Sequence, residues 1–139
     1  MECMVKRAPH AVYDLKYHIV FAPKYRKSIL VGPIEAWLRR LLKEISEEYG
    51  FELQEAELMP DHIHLLVGVA PKWSPAQVVQ IYKSITAREI FRVFPRLREK
   101  LWAGELWSDG YYVASVGDKI TTEMVKRYIR HQRQLTLKL

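Results

Sequence analysis

The most informative stretch of the chain is residues 59–69, which read Met-Pro-Asp-His-Ile-His-Leu-Leu-Val-Gly-Val. In an extended strand successive side chains alternate faces. His62 and His64 therefore point the same way, about 7 Å apart along the backbone. Ile63, Leu65, Val67 and Val69 point the other way, and all are apolar. One face is thereby assigned to an interior and the other to two imidazoles, at a spacing that lets both reach one metal ion. For an isolated H-x-H pair, two half-exposed histidines with ordinary hydrogen-bond partners are the commoner case. The wholly apolar opposite face favours the metal, because it fixes the side on which both rings must sit. Other histidine chemistries fit less well. A nucleotidyl-histidine triad needs a third alternating histidine, and position 66 is Leu66. A two-histidine phosphoesterase needs two H-x-[ST] motifs, and no histidine here is followed two residues later by serine or threonine.

A second group lies near the C-terminal end. Val125, Tyr128, Ile129 and Gln132 fall at i, i+3, i+4 and i+7, one stripe of a helix. Tyr128 and Gln132 are one turn apart, so a phenol and an amide can face one site. Lys126, Arg127, Arg130 and Arg133 surround the stripe with positive charge. Taken alone, such a stripe is more often a packed amphipathic helix with an ordinary core tyrosine.

The elements that must position these groups can be read from period and punctuation. Residues 14–21 alternate as a strand, with Leu15, Tyr17, Ile19 and Phe21 on one face and Lys16, His18 and Val20 on the other. Gly32-Pro33 opens a helix with the stripe Ile34, Trp37, Leu38, Leu41, Leu42 and Ile45, and Gly50 stops it. Residues 51–58 and 62–69 read as strands separated by the turn residues Pro60-Asp61. Ser74-Pro75 starts a second helix, with serine as N-cap and proline at the first helical position. That helix carries Val78, Ile81, Tyr82 and Ile85 and runs to about Phe94, before Pro95. Residues 95–110 show no clear period and have room for a short helix. Residues 111–116 form a fourth strand, and Thr121 or Thr122 caps the last helix, with Glu123 in its first turn. The order β-α-β-β-α-β-α predicts an α+β fold: a ferredoxin-like, RRM-like sheet with an added C-terminal helix. Two helices cover one sheet face, and function belongs on the other face or its rim.

Composition narrows the field. At 139 residues and 49% hydrophobic, one domain spanning 1–139 with a proper core is the simplest reading. A single cysteine excludes an internal disulfide, and without a C-x-x-C pair a structural zinc site of the usual kind is not expected. No apolar run approaches the length of a membrane span, and no signal-peptide core follows the start. A cytoplasmic location follows by default, with association to the nucleoid when DNA is bound. The net charge of +6 favours a polyanionic partner such as nucleic acid. Candidate phosphate contacts are Lys16 and His18, beside the histidine strand, and Lys24, Arg26 and Lys27 in the turn that follows. Arg127 and Arg130 on the last helix join them, as do Lys83, Arg88 and Arg92 on the second. Trp73, Trp102 and Trp107 are candidates for stacking on unpaired bases, although tryptophan is more often core.

Several separated motifs in the right order carry a specific resemblance. Pro-Asp-His-Ile-His-Leu-Leu with a late Tyr-Ile-x-x-Gln helix resembles the single-tyrosine HUH transposases of the insertion-sequence 200/605 class. Tyr17-His18-Ile19-Val20-Phe21-Ala22-Pro23-Lys24-Tyr25-Arg26 resembles that family's opening strand and turn, and residues 107–117 resemble its fourth strand. The match runs from about residue 13 to 134. The resemblance implies that His62, His64 and Gln132 ligate a divalent metal, Mg²⁺ or Mn²⁺, and that Tyr128 is the nucleophile. It further implies single-stranded DNA with hairpin ends as substrate, and a homodimer whose histidines in one subunit work with the tyrosine helix of the other. The segment 117–123 suits a helix that docks across. Two imidazoles and an amide by themselves would suggest zinc; oxygen ligands from DNA and water reconcile the set with Mg²⁺ or Mn²⁺. Two other readings remain open: a domesticated relative that processes or only binds hairpins, and an RRM-type binding module. The second is disfavoured because histidines stand where an RRM presents aromatics.

Overall fold

In the computed structural model the histidine pair lies on a four-stranded antiparallel sheet. Residues 5–8, 11–101, 104–117 and 122–131 are described, except the side chains of Thr122, Val125, Tyr128 and His131. The elements are β1 (Lys6–Ala8), β2 (Ala11–Tyr13), β3 (Lys16–Phe21), α1 (Gly32–Tyr49), β4 (Glu52–Met59) and β5 (His62–Gly68), then α2 (Pro75–Val93), α3 (Leu97–Lys100), β6 (Tyr112–Val116) and α4 (Thr122–His131). The main sheet has the order β4-β5-β3-β6, and β1 pairs with β2 in a separate hairpin. Both halves of the expected split βαβ are present, with the first and third strands of the pattern, β3 and β5, at the centre. The fold is α+β, as the element order predicts. Two local differences stand out. The first sheet strand begins at Lys16 rather than residue 14, and the β1–β2 hairpin was not anticipated. Its three-residue strands are too short to display an alternating pattern.

Local chemistry sets the helix limits. Gly50 closes α1 with φ 72°. Its N–H donates to the Glu47 carbonyl and the Phe51 N–H to the Ser46 carbonyl, the paired bonds of a Schellman motif. Ser74 caps α2 through a capping box: its hydroxyl accepts from the Gln77 N–H while the Gln77 side chain accepts from the Ser74 N–H.

The core lies between the helices and one face of the sheet. Ile19 and Phe21 of β3 and Ile63, Leu65 and Val67 of β5 meet Leu38, Leu42 and Ile45 of α1 and Val78, Tyr82 and Ile90 of α2. Each such buried side chain contributes about 1.5–3 kcal/mol, which fixes the register and hence the face given to the histidines. Trp107 belongs to this core. It meets Phe21 edge-on at 4.7 Å, and its indole N–H donates to Thr86 Oγ1 at 2.9 Å. Trp73 packs against Tyr49 and Phe51. Of the tryptophans considered for base stacking, Trp107 is buried and Trp73 half-buried, and Trp102 lies outside the described residues.

Candidate active site

Register builds the opposite face. Val20 pairs with His64 and His18 with Leu66 across β3 and β5. Glu57 pairs with His64 and Met59 with His62 across β4 and β5. Tyr112, Ala114 and Val116 of β6 stand opposite Val20, His18 and Lys16. Directly opposed residues share a face, so His62, His64, His18, Lys16 and Glu57 all belong to the side away from α1 and α2. That side is covered in part by α4. Ile129 is fully buried against Leu66 and Val116, and Arg130 Nη2 lies 3.2 Å from Glu55 Oε2.

The two expected metal histidines come together as the alternation requires. Their ring centroids are 5.0 Å apart with planes at 75°. Each ring is held at Nδ1. His62 Nδ1 lies 2.8 Å from Asp61 Oδ1, and His64 Nδ1 lies 3.0 Å from His18 Nε2. His62 Nε2 is buried with no hydrogen-bond partner among the described residues. A buried imidazole nitrogen left in that state costs about 1–3 kcal/mol, and a metal ion would satisfy it. The donor set therefore fits a metal at His62 and His64. Among the described residues no three histidine, cysteine, aspartate or glutamate side chains converge on one point. The expected third ligand, Gln132, lies outside the described residues. Tyr128 is on the backbone of α4, directly before the buried Ile129.

Burial disfavours the charged form of two of these rings, His18 and His64. Burial pushes the His18 imidazolium down to about 4. Burial, reinforced by His18 and His62, pushes His64 down to about 3. Both are neutral at physiological pH, the form a metal needs.

The expected phosphate contacts divide. Lys16 and His18 are buried, Lys16 ion-paired with Asp14 and His18 against His64. His18 thus places its ring beside that of a candidate metal ligand. Arg26 Nη2 lies 3.0 Å from Asp61 Oδ2, beside His62. Lys24 pairs with Glu105 at 2.8 Å, Arg130 with Glu55, and Arg127 is exposed on α4. Lys83 donates to the carbonyls of Ser108 and Gly110 at 2.7 and 2.9 Å and so braces the loop before β6. Two site residues escaped the sequence reading. Asp61 looks like a turn residue, yet its carboxylate lies 2.8 Å from His62 Nδ1. Glu57 sits in a strand of mixed polarity, and only pairing with β5 reveals it as a buried carboxylate opposite His64.

The sequence and the fold are both similar to those of known proteins. The family model for IS200-like transposases matches residues 11–132. ISDra2 transposase TnpA of Deinococcus radiodurans is 36% identical over 128 residues, 92% of this chain and 91% of that protein. The transposase for insertion sequence element IS200 of Salmonella typhimurium is 35% identical over 127 residues, 91% of this chain and 82% of its own length. A crystal structure of a candidate transposase from Deinococcus radiodurans R1 superposes with a TM-score of 0.75 at 36% identity, covering 91% of this chain and 97% of that one. A REP-associated tyrosine transposase bound to a REP hairpin shares the fold alone. Its TM-score is 0.55 at 12% identity, over 89% of this chain and 67% of that one. The fold and the matches define a DNA-processing enzyme. Within that class, the chain belongs to the IS200-like transposase family. Among the described residues no helix is long and apolar enough to cross a membrane.

Proposed function

We propose that this protein cleaves and rejoins single-stranded DNA at the ends of an insertion sequence, with Tyr128 as nucleophile. The observation that carries the proposal is the pair of buried imidazoles, each held at Nδ1, on the sheet face over which the Tyr128 helix lies. His62 and His64, with Gln132 as third ligand, would hold Mg²⁺ or Mn²⁺. When bound, the ion supplies a Lewis acid for the scissile phosphate. The Tyr128 phenol loses its proton and its oxygen forms a bond to phosphorus. The bond from phosphorus to the 3′ oxygen breaks, and that oxygen takes up a proton as a free 3′-OH. The product is a 5′-phosphotyrosine. Because the bond energy is retained, attack by a second 3′-OH reverses the step and joins a new strand without ATP. Fewer than about one free tyrosine in 10³ is phenolate at neutral pH, so activation at the site is required.

The substrate is single-stranded DNA with hairpin ends. This follows the family resemblance and the basic side chains around α4, and a hairpin-bound fold relative is in keeping with it. The same resemblance supports a homodimer with composite sites. Cleavage of end-derived oligonucleotides tests the function. Wild type should cut only with Mg²⁺ or Mn²⁺, His64→Ala should lose metal binding and cutting together, and Tyr128→Phe should lose cutting while retaining hairpin binding. Metal-independent cutting, or cutting by Tyr128→Phe, would overturn the assignment. Mixing His64→Ala with Tyr128→Phe subunits restores activity only if one site draws on two chains.

A further inference from the structure

We propose that Asp61 and His18 are positioning residues that hold His62 and His64 in the tautomer presenting Nε2 to the metal, with Arg26 anchoring Asp61. The proposal rests on the metal reading given above.

A neutral imidazole has one N–H and one lone pair. A histidine that ligates through Nε2 must carry its hydrogen on Nδ1. For His62, the neighbour at Nδ1 is the Asp61 carboxylate at 2.8 Å. A carboxylate only accepts, so Nδ1 donates and Nε2 keeps its lone pair. The second Asp61 oxygen is 3.0 Å from Arg26 Nη2. That guanidinium arrives from a turn in which Tyr25 and Arg26 both have positive φ, 59° and 49°. Non-glycine residues pay about 1–2 kcal/mol each for such backbone, and the strained pair includes Arg26, whose guanidinium meets Asp61. Arg26 Nη2 also lies 3.3 Å from His62 Nδ1. A guanidinium only donates, so a bond there would force the hydrogen onto Nε2 and block the metal. The Asp61 carboxylate, closer to both groups, prevents this.

For His64, the neighbour at Nδ1 is His18 Nε2 at 3.0 Å, with near-parallel ring planes 15° apart. One hydrogen lies between these nitrogens. If His64 donates it, His64 Nε2 is the lone pair and His18 carries its own hydrogen on Nδ1. If His18 donates it, His64 Nε2 is protonated and cannot ligate. The two ring tautomers are therefore coupled, and metal binding selects the first. Histidine ligands whose outer partners are removed typically lose about 10–100-fold in metal affinity.

The test uses the full chain with two readouts: long-range ¹⁵N–¹H NMR for histidine tautomers of metal-free protein, and calorimetric Mn²⁺ binding. In Asp61→Ala, Arg26 becomes the donor facing His62 Nδ1. His62 should move to the Nε2–H form, and Mn²⁺ affinity should fall about 10–100-fold. Adding Arg26→Met to that variant should return part of the affinity. His18→Leu should weaken Mn²⁺ binding, and His18→Gln, whose amide oxygen can accept from Nδ1, should recover most of it. Backbone amide spectra check that each variant is folded. Wild type that binds Mn²⁺ while Asp61→Ala keeps both its tautomer and its affinity overturns the role of Asp61. Equal binding by His18→Leu and His18→Gln overturns that of His18. Wild type that binds no Mn²⁺ overturns the metal reading and this inference with it.

Discussion

Truncating Ile129 to alanine should undock α4 from the sheet while leaving the rest of the fold in place. Ile129 is fully buried on Leu66 and Val116, a small apolar cluster separate from the main core. The substitution removes three buried carbons at about 0.8 kcal/mol each, or roughly 2.4 kcal/mol. At about 1.4 kcal/mol per tenfold, the docked-to-undocked ratio falls roughly 50-fold. The Arg130–Glu55 ion pair on the same helix is largely solvent-facing and worth only about 0.2–1 kcal/mol, so it offsets little of this loss. Native-state hydrogen exchange read by mass spectrometry is the assay, with β5 peptides as internal control. Amides of α4 should lose protection by about that factor, and those of β5 should change little. Unchanged protection of α4, or equal loss in β5, would refute this view of how the helix is seated.

Further expectations follow from the buried polar groups. In chelated protein, stability should fall with acid. His18 and His64 titrate at about 4 and about 3 when folded, against 6.5 when exposed. The unfolded chain thus binds more protons, and stability present above about pH 6.5 is lost as pH falls toward 4 and 3. Thermal unfolding midpoints of metal-free protein should drop between about pH 7 and pH 5, and His18→Leu should flatten the slope. Thr86→Val should cost about 1–3 kcal/mol in denaturant unfolding, because it leaves the buried Trp107 N–H without its acceptor. Gly50→Ala should cost about 1 kcal/mol by the same measure, since a side chain there must adopt φ 72°.

How much of this was legible in the sequence depends on whether each signal is local. His62 and His64 could be assigned to one face because alternation within β5 is a property of seven consecutive residues. Ser74, Pro75 and Gly50 announced helix ends through their own backbone preferences. His18 carried no such signal. Its neighbours marked a strand face, but nothing in residues 14–21 reveals that His64 of another strand meets its ring. Arg26 resembled any turn cation for the same reason, and its attachment to Asp61 depends on two residues bent into left-handed backbone. Glu57 is one of several glutamates in β4, and cross-strand register alone distinguishes it from Glu55. Long-range pairing therefore brings two expected DNA contacts, His18 and Arg26, beside the histidines or their neighbour Asp61.

The central claim is that Tyr128 attacks the DNA backbone, and the most direct test is mass-spectrometric mapping of the covalent adduct. Protein, Mn²⁺ and an end-derived single strand would be reacted, digested with protease and nuclease, and analysed for a nucleotide-bearing peptide. The expected result is a phosphotyrosyl linkage on the peptide containing Tyr128, absent when metal is chelated. A linkage on any other residue, or cleavage with both DNA ends free and no protein adduct, would contradict it.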